Sequence, residues 1–173
     1  AFGFTPWKQR NLRRFLAGSE VRYPMPWMTP DTNIDAVAVW GRRGKPRVLS
    51  AADRRRLPTL HVEDGFLRSV GLGADLIDPI SWVVDDRGMY YDATGPSDLE
   101  ILLAHGDWSV SQLERAAQLR HRLVRAAITK YNLQSPPWQR PNGIQRVVLV
   151  VGQVESDASI RFGAPGVCTN LGL

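Results

Sequence analysis

The sequence lacks the features that mark disulfide-rich, zinc-binding or membrane-spanning proteins. It has one cysteine, Cys168, in 173 residues, which excludes an internal disulfide framework and a cysteine cluster for zinc. Its longest purely apolar runs, residues 36–40 and 147–151, have five residues each, whereas a membrane-spanning helix needs roughly 20. Hydrophobic residues still make up 43% of the chain and charged residues 23%, which is typical of a globular domain.

The two ends of the sequence carry no recognisable signal. Residues 1–4 have neither a starting methionine nor the basic-then-apolar layout of a secretory leader. The last residues, 170–173, close no predicted helix or strand. We therefore expect the sequence to be a fragment of a longer protein.

Basic residues outnumber acidic ones, and nearly all of them are arginine. The chain has 19 Arg and 3 Lys against 17 acidic residues, which gives a net charge of +5 and a pI near 9.9. Such an excess favours anionic partners. The arginines are dispersed, and the sequence contains no zinc finger, RNP-like aromatic pair or KH loop. Nucleic-acid binding thus rests on charge alone, and no nucleic-acid partner is expected.

Apolar runs and helix caps alternate along the chain and predict an α/β fold. Strands are predicted at residues 36–40, 60–63, 80–84 and 146–151, and helices at 8–16, 50–56, 99–104 and 111–131. A hairpin is expected to return residues 89–91 along the third strand. Because the apolar runs do not alternate internally, the pattern favours a Rossmann-like, mostly parallel sheet with helices on both faces.

The first polar strand end, residues 63–69, is a candidate ligand site because ligands bind beyond the carboxyl ends of parallel strands. Glu63 and Asp64 point to opposite sides of an extended chain, so one can face a ligand while the other holds the loop. Arg68 adds a two-pronged anion donor. The competing interpretation is a local turn in which Asp64 binds backbone N–H groups and pairs with Arg68.

The second polar strand end, residues 152–159, contains Asp157, which is predicted to be a partly buried carboxylate. Such a group attacks the anomeric carbon of a sugar when a second carboxyl serves as acid and base. The alternative is that Asp157 or Ser159 caps a helix that begins near Ile160. The three histidines have no ligand-like spacing, so no metal site is expected.

Several strings of the sequence resemble the capsular polysaccharide β-Kdo transferases of the KpsC/LipA type. They are residues 62–73, 90–100 and 148–160, with shorter matches at 38–41 and 130–133. The start of the chain, Gly3-Phe4 followed by Trp7-Lys8, resembles the start of the second transferase module of that family. The likeness covers nearly the whole chain and implies an incomplete GT-B-like glycosyltransferase.

The resemblance also implies an activity and a place in the cell. It implies a retaining enzyme that transfers β-Kdo, an acidic eight-carbon sugar, from CMP-Kdo to an oligo-Kdo chain on (lyso)phosphatidylglycerol. This reaction belongs to capsular polysaccharide biosynthesis and export. The enzyme would be cytoplasmic and peripheral to the inner face of the bacterial inner membrane, and it would use no cofactor.

Site residues follow from the same resemblance. The family's Gln-x-x-x-Asp-x-Ser string assigns the nucleophile to Asp157, and its Glu-Asp-Gly-Phe string assigns the acid/base to Glu63. Substrate contacts are expected from Asp64, Arg68, Ser69, Gln153 and Ser159.

One departure from the family limits what these residues can do. The later His-Pro string and the helical half that grips the nucleotide are absent from the 173 residues. Residues 1–173 are therefore expected to hold the acceptor-side half and the nucleophile loop of one module, with the C-terminal half as a missing partner. The alternative is a non-catalytic anion-binding α/β module of capsule assembly. The enzyme hypothesis requires Asp157 and Glu63 to line one concave site.

Overall fold

The computed structural model describes residues 1–25, 27–134, 136 and 138–173. Within these residues three strands form one sheet: β1 (Val37–Trp40), β2 (Thr59–Asp64) and β3 (Trp82–Asp85). The α-helices are α1 (Pro6–Phe15), α2 (Pro46–Arg54), α3 (Asp98–His105), α4 (Val110–Arg125) and α5 (Ala158–Gly163). Short 3₁₀ turns occupy Gly73–Asp75 and Asn170–Gly172. No helix in the described part of the chain is both long and apolar enough to cross a bilayer.

The sheet is mixed, with strand order β1–β2–β3. β1 and β2 run parallel, with Trp40 opposite Val62. β2 and β3 run antiparallel, with His61 opposite Asp85. The expectation of a mostly parallel sheet is wrong for β3, because residues 65–81 fold back as a loop with one 3₁₀ turn. Parallel pairing needs a crossover over the face of the sheet, usually a helix, and residues 65–81 form no α-helix.

Helices cover both faces of this sheet, as the sequence predicted. One cluster of buried side chains joins α2 to β1 and consists of Phe2, Val37, Val39, Val48 and Ala52. A second cluster joins α1 to the opposite face and consists of Phe4, Leu12, Trp40 and Val62. Successive residues of β1 enter different clusters because side chains alternate along a strand.

Two helices differ from their predicted bounds by four residues or more at one end. α2 begins at Pro46 rather than near Ser50, since proline is well tolerated in the first turn of a helix. α4 is capped by Ser109, which forms a capping box with Gln112. It ends at Arg125, short of the predicted residue 131, and Ala127 then adopts a left-handed φ of +49°.

The loop after β3 is organised by the buried carboxylate of Asp85, and the predicted hairpin is absent there. Oδ1 of Asp85 accepts hydrogen bonds from the backbone N–H groups of Arg87 and Gly88, both at 2.9 Å. Its Oδ2 accepts another from Asp98 at 2.9 Å. These bonds turn the chain into α3, which Ser97 caps because its side chain accepts from the N–H of Glu100.

The predicted strand at residues 146–151 is also absent from the structure. Its side chains are exposed, from 48% for Val147 to 83% for Leu149. A strand requires a hydrogen-bonding neighbour, and no other strand in the described residues pairs with this segment. The apolar segment therefore has no strand partner among the described residues.

We expect Asp85→Asn to lower the free energy of unfolding by about 2 kcal/mol, because an amide cannot accept hydrogen bonds with both ends. Chemical denaturation measures this loss. The matched substitution is Asp107→Asn, at an exposed position between α3 and α4, which should change stability by no more than about 0.5 kcal/mol. Equal effects of the two substitutions would contradict the role given to Asp85.

Candidate active site

A cleft of about 890 Å³ opens at the carboxyl ends of β1 and β2. β1 contributes Trp40 and the turn that follows it, and β2 contributes Glu63 and Asp64. The rest of the lining comes from Tyr90 and Tyr91, from Lys130 and Tyr131, and from side chains between positions 153 and 162. The cleft thus collects side chains from five separate parts of the sequence.

Glu63 and Asp157, the two residues predicted to be catalytic, both line this cleft. Gln153, Ser159 and Asp64 line it as well. The arrangement meets the geometric requirement of the enzyme hypothesis, which needs both carboxyls on one concave surface.

Glu63 is the penultimate residue of β2 and is half-buried. Its Oε1 accepts a hydrogen bond from the backbone N–H of Asp64 at 3.0 Å. Burial raises the pKa of Glu63 above its ordinary value, and the charge of Asp64 adds to the rise while that of Lys8 opposes it. Glu63 therefore holds its proton to higher pH than an exposed glutamate does.

The packing around Glu63 depends on Gly41, the first residue after β1. Gly41 has a φ of +49°, a left-handed conformation that glycine adopts without steric cost. A Cβ at this position would lie 2.6 Å from the hydroxyl of Tyr91 and 2.9 Å from Oε2 of Glu63. The absence of a side chain at Gly41 thus lets a tyrosine hydroxyl and a carboxylate approach the same stretch of backbone.

Tyr90 and Tyr91 stand beside these groups, with their ring centroids 5.5 Å apart and the rings nearly perpendicular. Burial, together with the negative charge of Glu63, raises the pKa of Tyr91 to about 12. Burial also raises the pKa of Tyr90. Both hydroxyls consequently stay protonated at neutral pH and can donate hydrogen bonds in the cleft.

Asp157 caps α5, so the capping interpretation is confirmed. Its Oδ1 accepts hydrogen bonds from the N–H of Ser159 at 2.8 Å and from the Ser159 hydroxyl at 2.7 Å. Asp157 is exposed rather than partly buried as predicted, because the strand expected to carry it into the interior is not formed. Capping and cleft lining are compatible, since only one of its two oxygens makes these bonds.

α5 is held against the cleft by contacts with the turn after β1 and with the segment after Tyr91. The guanidinium of Arg42 lies over the ring of Phe162, 4.4 Å from its centroid. The backbone N–H of Ala93 donates to the carbonyl of Phe162 at 3.0 Å. Arg42 also donates to Asp92 and, at 2.8 Å, to Thr94. These contacts fix the loop that presents Asp157.

Arg68 forms an ion pair that closes a local turn, which is the competing interpretation of residues 63–69. Nε of Arg68 lies 2.9 Å from Oδ2 of Asp64. Arg68 is 1% exposed and donates to the Ser69 hydroxyl at 2.8 Å and to the carbonyl of Ile77 at 3.0 Å. Its positive charge is therefore matched inside the protein by Asp64, and Arg68 is not a free anion donor.

The other predicted substrate contacts are divided between the cleft and the interior. Ser69 is buried, and its hydroxyl donates to the carbonyl of Gly71 at 2.7 Å, so the structure does not bring it to the cleft. Gln153 is exposed at the cleft, where Asn170 bonds both its backbone N–H and its carbonyl. Ser159 also lines the cleft, with its hydroxyl hydrogen bonded to Asp157.

Sequence reasoning missed the basic side chains of the cleft, which are Arg42, Arg43, Lys130 and Arg161. Lys130 reaches the cleft because its segment docks on the loop after β2. The carbonyl of Lys130 accepts a hydrogen bond from the backbone N–H of Arg68 at 2.8 Å, and the carbonyl of Tyr131 accepts one from the backbone N–H of Gly71 at 2.8 Å. In the sequence, the string 130–133 resembles the family but indicates no role for Lys130.

Outside the cleft, one group of carboxylates in the described part of the chain is close enough to share a cation. Oxygen atoms of Asp85, Asp86 and Asp98 lie within 4.8 Å of one another. The oxygens of Asp85 already accept backbone hydrogen bonds, which accounts for the burial of that carboxylate.

Comparison with solved structures defines the class of fold. The chain is similar to the β-Kdo 2,4 transferase of Thermosulfurimonas dismutans KpsC, with a TM-score of 0.68 and 36% identity over 91% of this chain and 50% of that one. It is also similar to the β-Kdo 2,7 transferase of the same KpsC, with a TM-score of 0.64 and 32% identity over 98% of this chain and 53% of that one. The fold is therefore GT-B-like α/β, represented in part.

Sequence comparison identifies the family. Residues 35–136 match the capsule polysaccharide biosynthesis protein family, and the chain belongs to it, as the resemblance to the KpsC/LipA type predicted. It is 41% identical over 137 residues to the capsule polysaccharide modification protein LipA of Neisseria meningitidis. It is 37% identical over 181 residues to the lipopolysaccharide-processing protein LpsZ of Rhizobium meliloti. The chain spans 19% of the length of LipA and 41% of that of LpsZ.

The raised pKa of Glu63 predicts a pH-dependent stability. Because folding favours the protonated carboxyl, its contribution is present below the ordinary value of 4.5 and is lost as pH rises through the folded-state pKa. Glu63→Gln removes this titration, so the variant should gain stability relative to wild type between about pH 4 and about pH 7. Denaturant unfolding at both pH values measures the difference.

The matched control for this measurement is Glu114→Gln, which lies at an exposed position of α4. It should change stability little at either pH, because Glu114 has no buried surroundings. A Glu63→Gln variant whose stability difference from wild type stays constant across this range would contradict the effect of burial.

Proposed function

We propose that this chain forms part of a retaining β-Kdo transferase of capsular polysaccharide biosynthesis. The donor would be CMP-Kdo, and the acceptor an oligo-Kdo chain on a (lyso)phosphatidylglycerol anchor. The observation that carries the proposal is that Glu63 and Asp157 line a single cleft in a chain 36% identical to a β-Kdo 2,4 transferase.

The hydrogen bonds of Asp157 support its role as the nucleophile. Ser159 engages only Oδ1, and Oδ2 accepts no hydrogen bond from the described residues. Oδ1 is thereby fixed in direction by the first turn of α5, while Oδ2 keeps its lone pairs available. A positioned carboxylate with one free oxygen suits attack on an anomeric carbon.

Two displacements complete the proposed transfer. In the first, Oδ2 of Asp157 forms a bond to the anomeric carbon of Kdo, and the bond from that carbon to the CMP phosphate oxygen breaks, with the electron pair leaving on CMP. In the second, an acceptor hydroxyl attacks the same carbon and displaces Asp157 as a carboxylate. Two inversions at one carbon retain its configuration.

Glu63 is the proposed acid/base group of the second displacement. It takes the proton of the acceptor hydroxyl as the new glycosidic bond forms. The raised pKa of Glu63 makes its ionised form a stronger base than an ordinary glutamate. The neutral hydroxyls of Tyr90 and Tyr91 line the same cleft and are available to hydrogen bond the sugar.

The charge of the cleft agrees with two anionic substrates. Arg43, Lys130 and Arg161 surround the carboxylates and would attract a sugar acid and a nucleotide phosphate, whereas the charge of Arg42 is matched by Asp92. An anionic lipid surface would attract a chain with a net charge of +5 for the same reason. We propose that the protein lies at the cytoplasmic face of the inner membrane.

Asp157→Asn should reduce transfer by roughly a thousand-fold or more while leaving the fold intact. Loss of the nucleophile removes the first displacement, whereas asparagine caps a helix about as well as aspartate does. Product formation from CMP-Kdo and an oligo-Kdo lipid measures the loss in the full-length protein. Mass spectrometry of wild type incubated with CMP-Kdo alone should detect Kdo attached to Asp157.

The matched control is Asp107→Asn, at an exposed position between α3 and α4, which should transfer Kdo at the wild-type rate. Circular dichroism of both variants checks the fold. Near-normal turnover of Asp157→Asn would remove this residue from the mechanism.

The proposal assigns acceptor binding and the nucleophile to this chain, and nucleotide binding to a separate half of the module. Residues 1–173 would supply the acceptor side and the nucleophile loop, as the coverage of about half of each solved relative suggests. The 173-residue polypeptide by itself should therefore form no product from CMP-Kdo and acceptor, while the full-length protein does so in the same assay. Product from the short chain alone would contradict this division.

A further inference from the structure

The segment that follows α4 carries Lys130 and Tyr131 into the wall of the cleft. It has no regular secondary structure, so contacts with the rest of the protein set its position. The backbone N–H groups of Arg68 and Ser69 donate to the carbonyl of Lys130, at 2.8 and 3.2 Å. The N–H of Gly71 donates to the carbonyl of Tyr131 at 2.8 Å. This wall of the cleft is thus attached to the turn after β2 by backbone hydrogen bonds.

Asn132 uses both ends of its side-chain amide to hold the same segment. Its Nδ2 donates to the carbonyl of Ser69 at 2.9 Å, and its Oδ1 accepts from the backbone N–H of Thr129 at 3.0 Å. The backbone N–H of Asn132 in turn donates to the hydroxyl of Thr129 at 2.9 Å. These bonds close a loop around Lys130 and attach it to the neighbouring turn. We call residues 129–132 the lysine loop.

The backbone conformation at Asn132 suits this residue type. Its φ of +49° lies in the left-handed region, which asparagine enters more readily than most other residues that have a side chain. Asparagine therefore supplies the turn of the backbone and also the hydrogen bonds across it. Glycine would supply only the turn, and alanine would supply neither.

The ammonium group of Lys130 is exposed at the cleft and is free to bind a ligand. Its Nζ lies 5.4 Å from the centroid of the Tyr131 ring, and no carboxylate of the described residues lies within ion-pair distance of it. Burial raises the pKa of Glu63, and the charges of Lys8 and Lys130 oppose that rise. The charge of Lys130 thus acts on the same part of the cleft as Glu63.

The proposed function supplies ligands that suit this ammonium group. The donor sugar and the terminal sugar of the acceptor each carry a carboxylate, and the proposal assigns nucleotide binding to the other half of the module. Lysine meets a carboxylate through a charge-assisted hydrogen bond, which is stronger than a bond between neutral groups. The position of Lys130 beside Glu63, where the two sugars react, therefore favours a sugar carboxylate as its ligand.

We infer that the lysine loop presents Lys130 to the carboxylate of a substrate sugar, and that Asn132 positions Lys130 for this contact. The inference rests on the proposed function, from which it takes its substrates. Lys130 contacts the ligand, whereas Asn132 acts only through Lys130. This difference determines how the two residues respond to substitution.

Lys130→Met in the full-length protein tests the contact with the carboxylate. The KM of the substrate that Lys130 contacts should rise about 10- to 100-fold, the value of a hydrogen bond to a charged group. The KM values for CMP-Kdo and for an oligo-Kdo lipid are measured separately. A raised acceptor KM, with no remaining preference for the acid over an acceptor methyl-esterified at its terminal carboxylate, assigns the contact to the acceptor. A raised KM for CMP-Kdo alone assigns it to the donor sugar.

Asn132→Gly tests the positioning role, because it keeps the left-handed backbone and removes the side chain. The same KM should rise about 3- to 10-fold, the value of one or two hydrogen bonds. Added to Lys130→Met, the substitution should change that KM by less than about two-fold, because the effects of residues that act through one another are not additive. A purely structural role would instead lower activity equally in both backgrounds.

Asn132→Asp covers the case in which Asn132→Gly does not fold. Its carboxylate still accepts from the N–H of Thr129 but has no proton to donate to the carbonyl of Ser69. It should raise the same KM and show the same lack of additivity with Lys130→Met. The matched control is Asn142→Gly, at an exposed asparagine of another turn, which should leave both KM values at wild type.

The outcomes separate this inference from the proposed function. Unchanged KM values in Lys130→Met, with normal transfer, would overturn the contact with the carboxylate and leave the transferase proposal standing. Full additivity of Asn132→Gly with Lys130→Met would overturn the positioning role of Asn132. Wild type that neither attaches Kdo to Asp157 nor transfers it would remove the proposed function, and the ligand of Lys130 with it.

Discussion

The parallel pairing of β1 with β2 is the constraint on which the candidate site depends. It places Trp40 opposite Val62, so that the residues after both strands emerge at one edge of the sheet. The N–H of Gly41 then donates to the carbonyl of Val62 at 2.8 Å, which brings the turn after β1 alongside Glu63. Because Gly41 has no side chain, the hydroxyl of Tyr91 and the carboxylate of Glu63 can share the space beside it.

A second constraint holds the loops around that edge. The buried pair of Arg68 and Asp64 closes the turn after β2, and a buried charge is tolerated only when it is paired. Residues 130–132 dock on the same turn. Their backbone carbonyls accept hydrogen bonds from it, and Nδ2 of Asn132 donates to the carbonyl of Ser69 at 2.9 Å. An arginine that sequence reasoning assigned to substrate thus organises one wall of the cleft.

Much of the candidate site could be predicted from the sequence, because its carboxylates follow apolar runs and lie in strings that resemble a known family. Glu63 and Asp157 were found in this way, and both line the cleft. The sequence assigned no role to Arg42, Lys130 and Tyr91 of the cleft, although Tyr91 and Lys130 lie in strings of the same kind. Their positions result from contacts between distant parts of the chain, such as Phe162 with Arg42, and no periodicity or spacing records such contacts.

The sequence by itself determined the α/β class, the family resemblance, most helices and the capping of α5, because periodicity and capping act between residues a few positions apart. Only the tertiary structure decided the direction of β3, the lack of a strand at residues 146–151 and the exposure of Asp157. Each of these depends on which backbone groups find a partner across the sheet. Strand pairing joins residues far apart in the chain, and an apolar run carries no information about its neighbour.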